Sequence, residues 1–506
     1  MLHPAESLGA NLPTGMVNTL NEQPIAEFLC GTVEKDAARL TELFQKDSTM
    51  IRRPLFRPGQ TEPVCVLFHL DGMTSSLVIT ESILVPLEAR LAEEGSDLCA
   101  QTLADSVLPS GEVRCTQRLE DLVTSLTNGD AILVAKGGAV IIGAKGWLKR
   151  TIMEPVNERV VRGPRESFIE SAMVNLSLLR RKLQTPSLCV ERVSFGALTQ
   201  TRTYLCYLDG RVNQHILSVL KKRLERITMD GVLDSNYLLE QIRDAPHSPF
   251  KTVGVTERPD IVAAKLLEGR IAVVVDGTPC VLTLPYLWIE NFQTNDDYYT
   301  SYLYATINRI LRMIGFFLTV SVPAVYVAVI TYHHETLPPA LLLSISASRQ
   351  GVPFPTVVEM FLLLIAFELL REASLRMPSN IGQALSIVGA LVLGQAAVEA
   401  KLVSAPMVIV LALTGTTSLL TPTMSGAEIV TRMGLLLAGS TFGMVGFTLG
   451  ILVLLFHLAT LRSFGIPYLS LQPDARERQK YDTFVRARWG KLRGRDLFGP
   501  KSGGKR

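Results

Sequence analysis

The sequence predicts an α+β membrane protein, with a two-lobed α/β cytosolic N-terminal region followed by an α-helical transmembrane bundle that contains a re-entrant or short membrane helix. With 47% hydrophobic residues among 506, the chain is too apolar for an ordinary soluble domain, yet 19% of its residues are charged. Nearly all long apolar runs lie between residues 311 and 461. The region before residue 300 instead alternates short apolar strands, turn residues and amphipathic helices.

These patterns divide the chain into five parts. They are a mobile N-terminal arm with a helix (1–60), a first cytosolic α/β lobe (61–155), a second cytosolic α/β lobe (156–300), a transmembrane helical domain (301–470) and a basic cytosolic tail (471–506). The helix of the arm is predicted over "AEFLCGTVEKDAARLTELFQKD", whose apolar positions recur at helical spacing.

Two stretches of the α/β region resemble each other. Residues 64–87 and 203–224 each contain an apolar strand, then Leu-Asp-Gly, then an amphipathic helix. Asp-Gly after a strand favours a tight turn, because glycine tolerates positive φ and aspartate bonds its own backbone. The repeated pattern predicts two related lobes. Residues 130–147 and 269–285 are each predicted to form a β-hairpin.

The predicted membrane region begins after residue 301. A helix needs roughly 20 apolar residues to cross a bilayer, and proline-flanked pieces too short for this favour a membrane-embedded hairpin. The tail holds eleven Lys or Arg against four acids, and Arg309 and Arg312 precede the first span. Basic residues mark the cytosolic side, so both termini are predicted there. The spans are 313–332, 381–398, 402–422 and 433–461, and the hairpin is 337–372.

Enzyme and cofactor signatures are absent from the sequence. It contains no Walker A motif, no His-x-x-x-His pair and no Gly-x-Ser-x-Gly motif. The seven cysteines are odd in number and lack metal-type spacing, so we expect reduced thiols. The first 30 residues lack a signal-peptide pattern, so we expect that the α/β region is not secreted. We therefore expect no enzyme, cofactor, metal or nucleic-acid partner.

The stretch "FLLLIAFELLREASLRM" places charges beside a short apolar helix. At 100° per residue, Glu368, Arg371 and Glu372 share one face, and Glu359 points to the opposite side from Glu368. A charge at membrane depth costs about 2.5–3.5 kcal/mol and usually faces a watery cavity or a bundle interior. One interpretation is that one side of this helix lines an aqueous path, with all four as pore or gating candidates. The alternative is an interfacial helix with internal ion pairs.

Other candidates point to contacts between parts or copies of the chain. In "VVRGPRESFIESAMVNLSLLRRKL", Pro164 suits a first helical turn. One interpretation of this motif is a well-capped packing helix, and the other is a contact surface. "TERPD" starts a helix. The charges of Glu257 and Arg258 in it either support the local structure or form an inter-lobe ion pair. The subunit or interdomain contact candidates are Arg162, Arg165, Glu166, Glu170, Glu257 and Arg258.

Four glycines in the last apolar run form two Gly-x-x-x-Gly pairs. Such pairs let backbones approach closely. Packing within the bundle is a simpler use of them than contact with another chain. The helix-packing candidates are Gly439, Gly443, Gly446 and Gly450.

Several stretches together resemble one family. They are "RGPRESFIESAMVNLSLLRRK", "SPFKTVGVTERPD", "LLEGRIAVVVDGTP", "LLLSISASRQGVPFPTVVE", "AFELLREASLRMP", "IGQALSIVGALVLGQAAVEAKLVS" and "LRSFGIPYLS". From about residue 64 to 472, in order and without large gaps, the chain resembles the A subunit of the spore germinant receptor, a GerA-type spore germination protein. Residues 421–433 are less apolar than the resemblance predicts, and residues 1–40 and the basic tail match nothing in it.

The resemblance implies a location and partners. Such receptors sit in the spore inner membrane and sense nutrients, and the A subunit is paired with a transporter-like B subunit and a C-subunit lipoprotein. It further implies a homo-oligomer, a pentamer, that forms a nutrient-gated channel for monovalent cations, which carboxylates at a pore would suit. The alternative is a non-conducting membrane scaffold that docks the partner subunits. Anionic membrane lipid is an expected partner of the tail.

Overall fold

The computed structural model describes residues 28–93, 98–146, 158, 160, 162–375, 394–470 and 482–488. Residues 1–27 of the predicted N-terminal arm, most of the predicted span 381–398 and most of the basic tail lie outside the described residues. The described residues belong to two compact units. One lies within residues 1–150 and 176–190, and the other within residues 151–175 and 191–506.

The first unit is built on a five-stranded antiparallel sheet with strand order β1-β2-β4-β5-β3. Its central strands are apolar along their whole length and are buried on both faces. This is the pattern expected of strands covered by helices on each side. The strands are β1 (Met50–Leu55), β2 (Cys65–Leu70), β3 (Val113–Thr116), β4 (Ala131–Ala135) and β5 (Gly138–Ile142).

Helices cover both faces of this sheet, and β2 contributes alternate residues to two cores. Its residues Cys65 and Leu67 pack under the helices that follow β2, whereas Val66 and Phe68 pack under α1 and α5. The helices are α1 (Val33–Leu43), α2 (Ser76–Val78), α3 (Val85–Leu91), α4 (Ala100–Thr102) and α5 (Leu119–Thr127), with π-helical turns at Ile79–Leu84 and Leu103–Val107.

Helix α1 is shorter than predicted at its N-terminal end. The described residues before Thr32 are not helical, because the Asp36 carboxylate accepts the backbone N–H groups of Cys30 and Gly31 at 2.8 and 2.9 Å. Those bonds turn the chain back over the start of the helix.

The second unit contains a sheet with the same strand order, counted from its own first strand: β6-β7-β9-β10-β8. The second strand of each sheet ends in Leu-Asp-Gly, and Gly72 and Gly210 both have φ of 78°. This is the arrangement that the repeated segments predict, and both predicted hairpins are present as β4–β5 and β9–β10. The strands are β6 (Leu188–Phe195), β7 (Thr201–Leu208), β8 (Gly254–Thr256), β9 (Ile271–Val275) and β10 (Val281–Leu284).

Helix α6 begins at Ala172, so the helical first turn predicted at Pro164 is wrong. Distant partners hold the preceding residues extended: the Pro164 carbonyl accepts from Arg258, and the N–H of Phe168 donates to the Glu257 carbonyl. Asp276 then caps the helix by accepting the Ala172 N–H at 2.9 Å. The helices are α6 (Ala172–Lys182), α7 (Gln214–Leu224), α8 (Ser235–Ile242), α9 (Pro259–Leu267) and α10 (Asp296–Tyr299), with a 3₁₀ turn at Trp288–Phe292.

Among the helices described in full, five follow α10, and all of them except the second contribute residues to one apolar core that also includes Phe250 and Tyr286. Among the described residues, two helical stretches are long and apolar enough to cross a membrane, Tyr302–Tyr332 and Pro422–Thr460. They overlap the predicted spans 313–332 and 433–461 and start earlier. The helices are α11 (Tyr302–Tyr332), α12 (Pro339–Ser348), α13 (Thr356–Leu375), α14 (Ala405–Ser418) and α15 (Ser425–Thr460).

The predicted hairpin 337–372 corresponds to α12 and α13, which are joined by residues 349–355. The predicted span 402–422 corresponds to α14, whose 14 residues cover only about 21 Å at 1.5 Å per residue. That is less than the hydrocarbon thickness of about 30 Å. Of the predicted span 381–398, residues 394–398 are described, and they are helical.

Helix α15 is broken at Gly443, where φ is 65° and ψ is −143°. Its two arms, residues 425–442 and 444–460, fold back on each other: a Cβ on Gly446 would collide with the Ala438 carbonyl, and one on Gly450 would lie 2.7 Å from Leu435 Cδ2. The predicted single span 433–461 is therefore a helical hairpin. At its tip the Tyr332 hydroxyl donates to the carbonyls of residues 440 and 441 at 2.8 and 3.1 Å.

Candidate functional site

A cluster of charges, two of them buried and two partly buried, lies between α13 and the first arm of α15. Arg432 is completely buried and forms an ion pair with Glu368, which also lies 3.5 Å from Arg371. Glu428 lies one turn before Arg432, on the same face of the helix, and accepts a hydrogen bond from the Thr421 hydroxyl. Four charged side chains thus meet among helices that are largely apolar.

Part of this cluster has no hydrogen-bond partner among the described residues. The unpartnered atoms are Oε2 of Glu428 and Nε and Nη1 of Arg432, all buried. Leaving a buried polar atom unsatisfied costs roughly 1–3 kcal/mol, and more for charged groups. Charges within membrane-spanning helices are rare and usually mark a watery cavity, an ion path or a moving element. The arrangement favours a functional cluster over packing alone.

Glu359 lies in the first turn of α13 and is completely buried. Its Oε1 accepts both the backbone N–H and the hydroxyl of Ser404, the latter at 2.8 Å. Since Ser404 is the N-cap of α14, the carboxylate also sits at the positive end of that helix dipole. Oε2 of Glu359 is buried without a hydrogen-bond partner in the described part of the chain. The same is true of the hydroxyl of Tyr326, which lies on α11.

The predicted pore or gating residues therefore belong to different surroundings. Glu368 and Arg371 contact each other as their shared helix face predicts, whereas Glu372 is exposed. Glu359 is enclosed by its own chain. Helical spacing predicts that Glu359 points to the opposite side of the helix from Glu368. Its hydrogen-bond partner Ser404 lies 45 residues further along the chain.

Sequence reasoning missed four members of these clusters. Glu428 and Arg432 carry a usable signal, because they are opposite charges at i, i+4 within the stretch that is less apolar than expected. Ser404 and Tyr326 carry none, since a serine before a proline-containing helix and a tyrosine in an apolar run have ordinary structural uses.

Arg258 is 99% buried, and its recorded partners lie within the second unit. Its guanidinium donates to Asp260 at 2.9 Å and to the carbonyls of Pro164 and Glu158 at 2.6 and 3.2 Å. The inter-lobe ion pair predicted for Arg258 is thus replaced by a local clamp. The clamp fixes the residues before α6 against α9, and the Glu257 carbonyl reinforces it by accepting the Ser167 hydroxyl at 3.1 Å.

Of the other contact candidates, Glu257 is buried beside Arg258, and the remaining four precede α6 with their side chains partly or fully exposed. The backbone N–H of Arg162 donates to Asp296 at 3.3 Å, and the Glu170 carbonyl accepts the N–H of Gly277 at 2.7 Å. Arg165 is exposed and Glu166 is half-buried. A subunit contact through them stays a prediction.

The predicted packing glycines lie at close approaches. A Cβ on Gly439 would lie 3.1 Å from the Ala324 carbonyl of α11, and one on Gly443 would lie 2.8 Å from His333 Cε1. Gly446 and Gly450 face the opposite arm of their own helical hairpin. All these contacts are within the chain.

A second charged group supports the turn that leads into α10 and α11. Glu290 accepts from Arg270 at 2.6 Å and lies 3.2 Å from Lys265, and it also accepts the Leu287 N–H at 2.7 Å. Burial alone raises the pKa of Glu290, but the two cations and the hydrogen bonds outweigh it and hold that pKa below its ordinary value. Burial lowers the pKa of Lys265.

Both ends of the α15 hairpin contact the α/β part of the second unit. Ser248 lies 2.9 Å from Nε2 of His457, and the hydroxyl of Ser463 donates to the Thr252 carbonyl. At the other end, Phe250 lines a cavity together with Met424. A sheet domain attached in this way to two helical stretches that are long and apolar enough to cross a membrane suggests a membrane protein with a large polar region.

The family follows from comparison with known proteins. Residues 38–498 match the model of GerA, the Bacillus/Clostridium GerA spore germination protein. The chain belongs to this family. It is therefore a member of a family of spore germination proteins rather than an enzyme.

Two relatives from Bacillus subtilis agree with this assignment. Spore germination protein KA of Bacillus subtilis (strain 168) is 39% identical, with 92% of this chain and 86% of the relative covered. Spore germination protein B1 of the same organism is 34% identical, with 84% and 88% covered. The chain is also similar to a solved structure, the N-terminal domain of the A subunit of the Bacillus megaterium spore germinant receptor GerK3. The sequence identity is 28%, the match covers 52% of this chain and 98% of that one, and the TM-score is 0.41.

Proposed function

We propose that this protein is the A subunit of a nutrient receptor in the spore inner membrane, and that it assembles with copies of itself into a nutrient-gated channel for monovalent cations. Its partners are a transporter-like B subunit and a C-subunit lipoprotein, and both of its termini are cytosolic. The observation that carries the proposal is the ion pair of Glu368 with the buried Arg432, beside the buried Glu428, within largely apolar helices.

The cluster has the features of a site that changes state. Among the described residues, Arg432 has one ion-pair partner and two nitrogens without a hydrogen-bond partner, while Glu428 has an oxygen without a partner one turn away. A small displacement of either helix would exchange one carboxylate for the other at the same guanidinium. Two arrangements of similar energy are what a gate needs.

The candidate residues divide between gating and lining. Glu359 is enclosed by its own chain and caps α14, so we assign it to gating through the position of that helix. Glu372 is exposed and Glu368 is 19% exposed, so they are the lining candidates at an interface between copies.

Ion flux tests the proposal. The full receptor is reconstituted into potassium-loaded vesicles, and nutrient is added while potassium release is followed. We expect nutrient-triggered release, altered at least ~10-fold in rate by Glu428→Gln and unaltered by Glu335→Gln, whose side chain is exposed in the turn after α11. No release from a receptor that still binds nutrient would contradict the channel.

A scaffold is the second candidate, and one observation favours it. Glu359 is fully buried and paired within a single chain, as expected of a residue that only holds helices together. Sizing of the purified chain in detergent distinguishes the two functions. A closed ring of copies supports the channel, and a monomer that binds its partner subunits supports the scaffold.

A further inference from the structure

Residues 482–488, part of the basic tail, lie against the start of α11. The Asp482 carboxylate is 3% exposed and accepts from Arg309 at 2.9 Å and from the Tyr298 hydroxyl at 3.0 Å. The sequence suggested a solvated, lipid-seeking tail, but this acidic residue within it has a defined protein partner.

The segment is also held by its backbone. The Asp482 carbonyl accepts from Gln293 Nε2 at 2.9 Å, and the Arg486 N–H donates to the Thr306 hydroxyl at 3.0 Å. The Arg486 guanidinium is buried and lies over the Tyr298 ring, 5.0 Å from its centroid. Contacts along several residues of the segment fix its register.

The charges beneath it remain largely balanced when the segment leaves. Asp297 is paired with Arg309 at 2.9 Å and with Arg312 at 2.7 Å, and neither pair involves the tail. Departure of Asp482 removes one of the two counter-charges of Arg309. Undocking is therefore unfavourable, yet the site beneath can stay folded, which is the condition for a reversible contact.

We propose that residues 482–488 form an intramolecular strap that holds the junction between the second sheet and α11 in one arrangement, and that release of the strap loosens this junction. The strap contacts the 3₁₀ turn and α10 on one side and α11 on the other. It therefore bridges the elements through which movement of the α/β region would reach the first long helix. The proposal does not depend on ion conduction.

Two truncations of the full chain test the strap. A stop after Arg488 keeps it, and a stop after Tyr481 removes it, so they share the loss of the terminal basic residues. Hydrogen exchange is followed over residues 296–310, with β9 and β10 as an internal check of folding. We expect exchange to rise at least ~10-fold in the second truncation only, and equal exchange in the two would overturn the proposal.

A point variant gives an independent measurement. Asp482→Ala should increase trypsin cleavage after Arg486 at least ~10-fold, because cleavage follows the population of the undocked form. Glu335→Gln is the control, since Glu335 lies outside the segment and its side chain is exposed. Equal cleavage in the Asp482→Ala variant and the unmodified chain would overturn the strap.

Discussion

Replacing Glu368 with glutamine removes the charge opposite Arg432 while preserving shape. The Arg432 side chain is 0% exposed, so its charge then remains buried with no ion-pair partner in the described part of the chain. Breaking a buried pair from one side destabilises proteins by about 3–5 kcal/mol. Because Glu428 lies one turn away and retains part of the attraction, we expect the lower end, about 3 kcal/mol.

Thermal unfolding of the purified full chain in one detergent measures this change. Glu372→Gln is the matched control, since it makes the same substitution on the same helix at an exposed position. Exposed substitutions usually change stability by less than about 0.5 kcal/mol. A large difference between two isosteric changes four residues apart isolates burial as the cause.

A second substitution tests the reasoning from the other side. Arg432→Leu placed in the Glu368→Gln background removes the uncompensated charge and should recover at least half of the loss, since neutral replacement of a buried pair is often nearly neutral overall. If Glu368→Gln and Glu372→Gln unfold at the same temperature, the Glu368–Arg432 pair is not a buried charge pair of the folded protein.

Three further predictions concern the helix break, the first unit and acid. Gly443→Ala should cost about 1–3 kcal/mol in thermal unfolding, because alanine is strained at this φ and ψ and its Cβ would meet His333. Asp47→Asn should cost about 3 kcal/mol in urea unfolding, because the buried Arg180 loses its counter-charge. The pKa of Glu290 is lowered, so its contribution to the free energy of unfolding should be present above about pH 4.3 and lost as pH falls through that lowered pKa. In acid, the unfolding temperature of the unmodified protein should therefore fall more steeply with pH than that of Glu290→Gln.

Each of these has a matched comparison. Gly434→Ala lies in open space in the same helix and should be neutral or stabilising by up to ~1 kcal/mol; equal effects at both glycines would remove the strain argument. Glu81→Gln, at an exposed position, should leave urea unfolding unchanged, and a loss matching Asp47→Asn would make burial irrelevant. Identical acid slopes in wild type and Glu290→Gln would exclude Glu290 as the titrating group.

The parts of the fold that the sequence predicts well are those set by neighbouring residues. Both β-hairpins and the two Leu-Asp-Gly turns follow from local alternation and turn chemistry. The start of α6 does not, because the residues that hold Pro164 extended are about 90 positions away. The break at Gly443 is likewise invisible to hydropathy, which sees one continuous apolar run.

The candidate site shows the same division. Helical spacing predicts that Glu368 and Arg371 face the same way, and they lie 3.5 Å apart. The pairing of Glu368 with Arg432 and of Glu359 with Ser404 joins residues 64 and 45 positions apart. Such pairings depend on how the helices pack, which no periodicity within one helix can specify.

The fold of α15 decides how often the chain traverses the lipid. A helix that doubles back at Gly443 returns to the level where it started, and the chain then continues to residues 482–488 beside the beginning of α11. If α11 begins where the chain enters the membrane, the chain between Tyr302 and residues 482–488 makes an even number of passages. Reporter groups fused before Tyr302 and after Arg488 must therefore face the same compartment, whichever compartment that is.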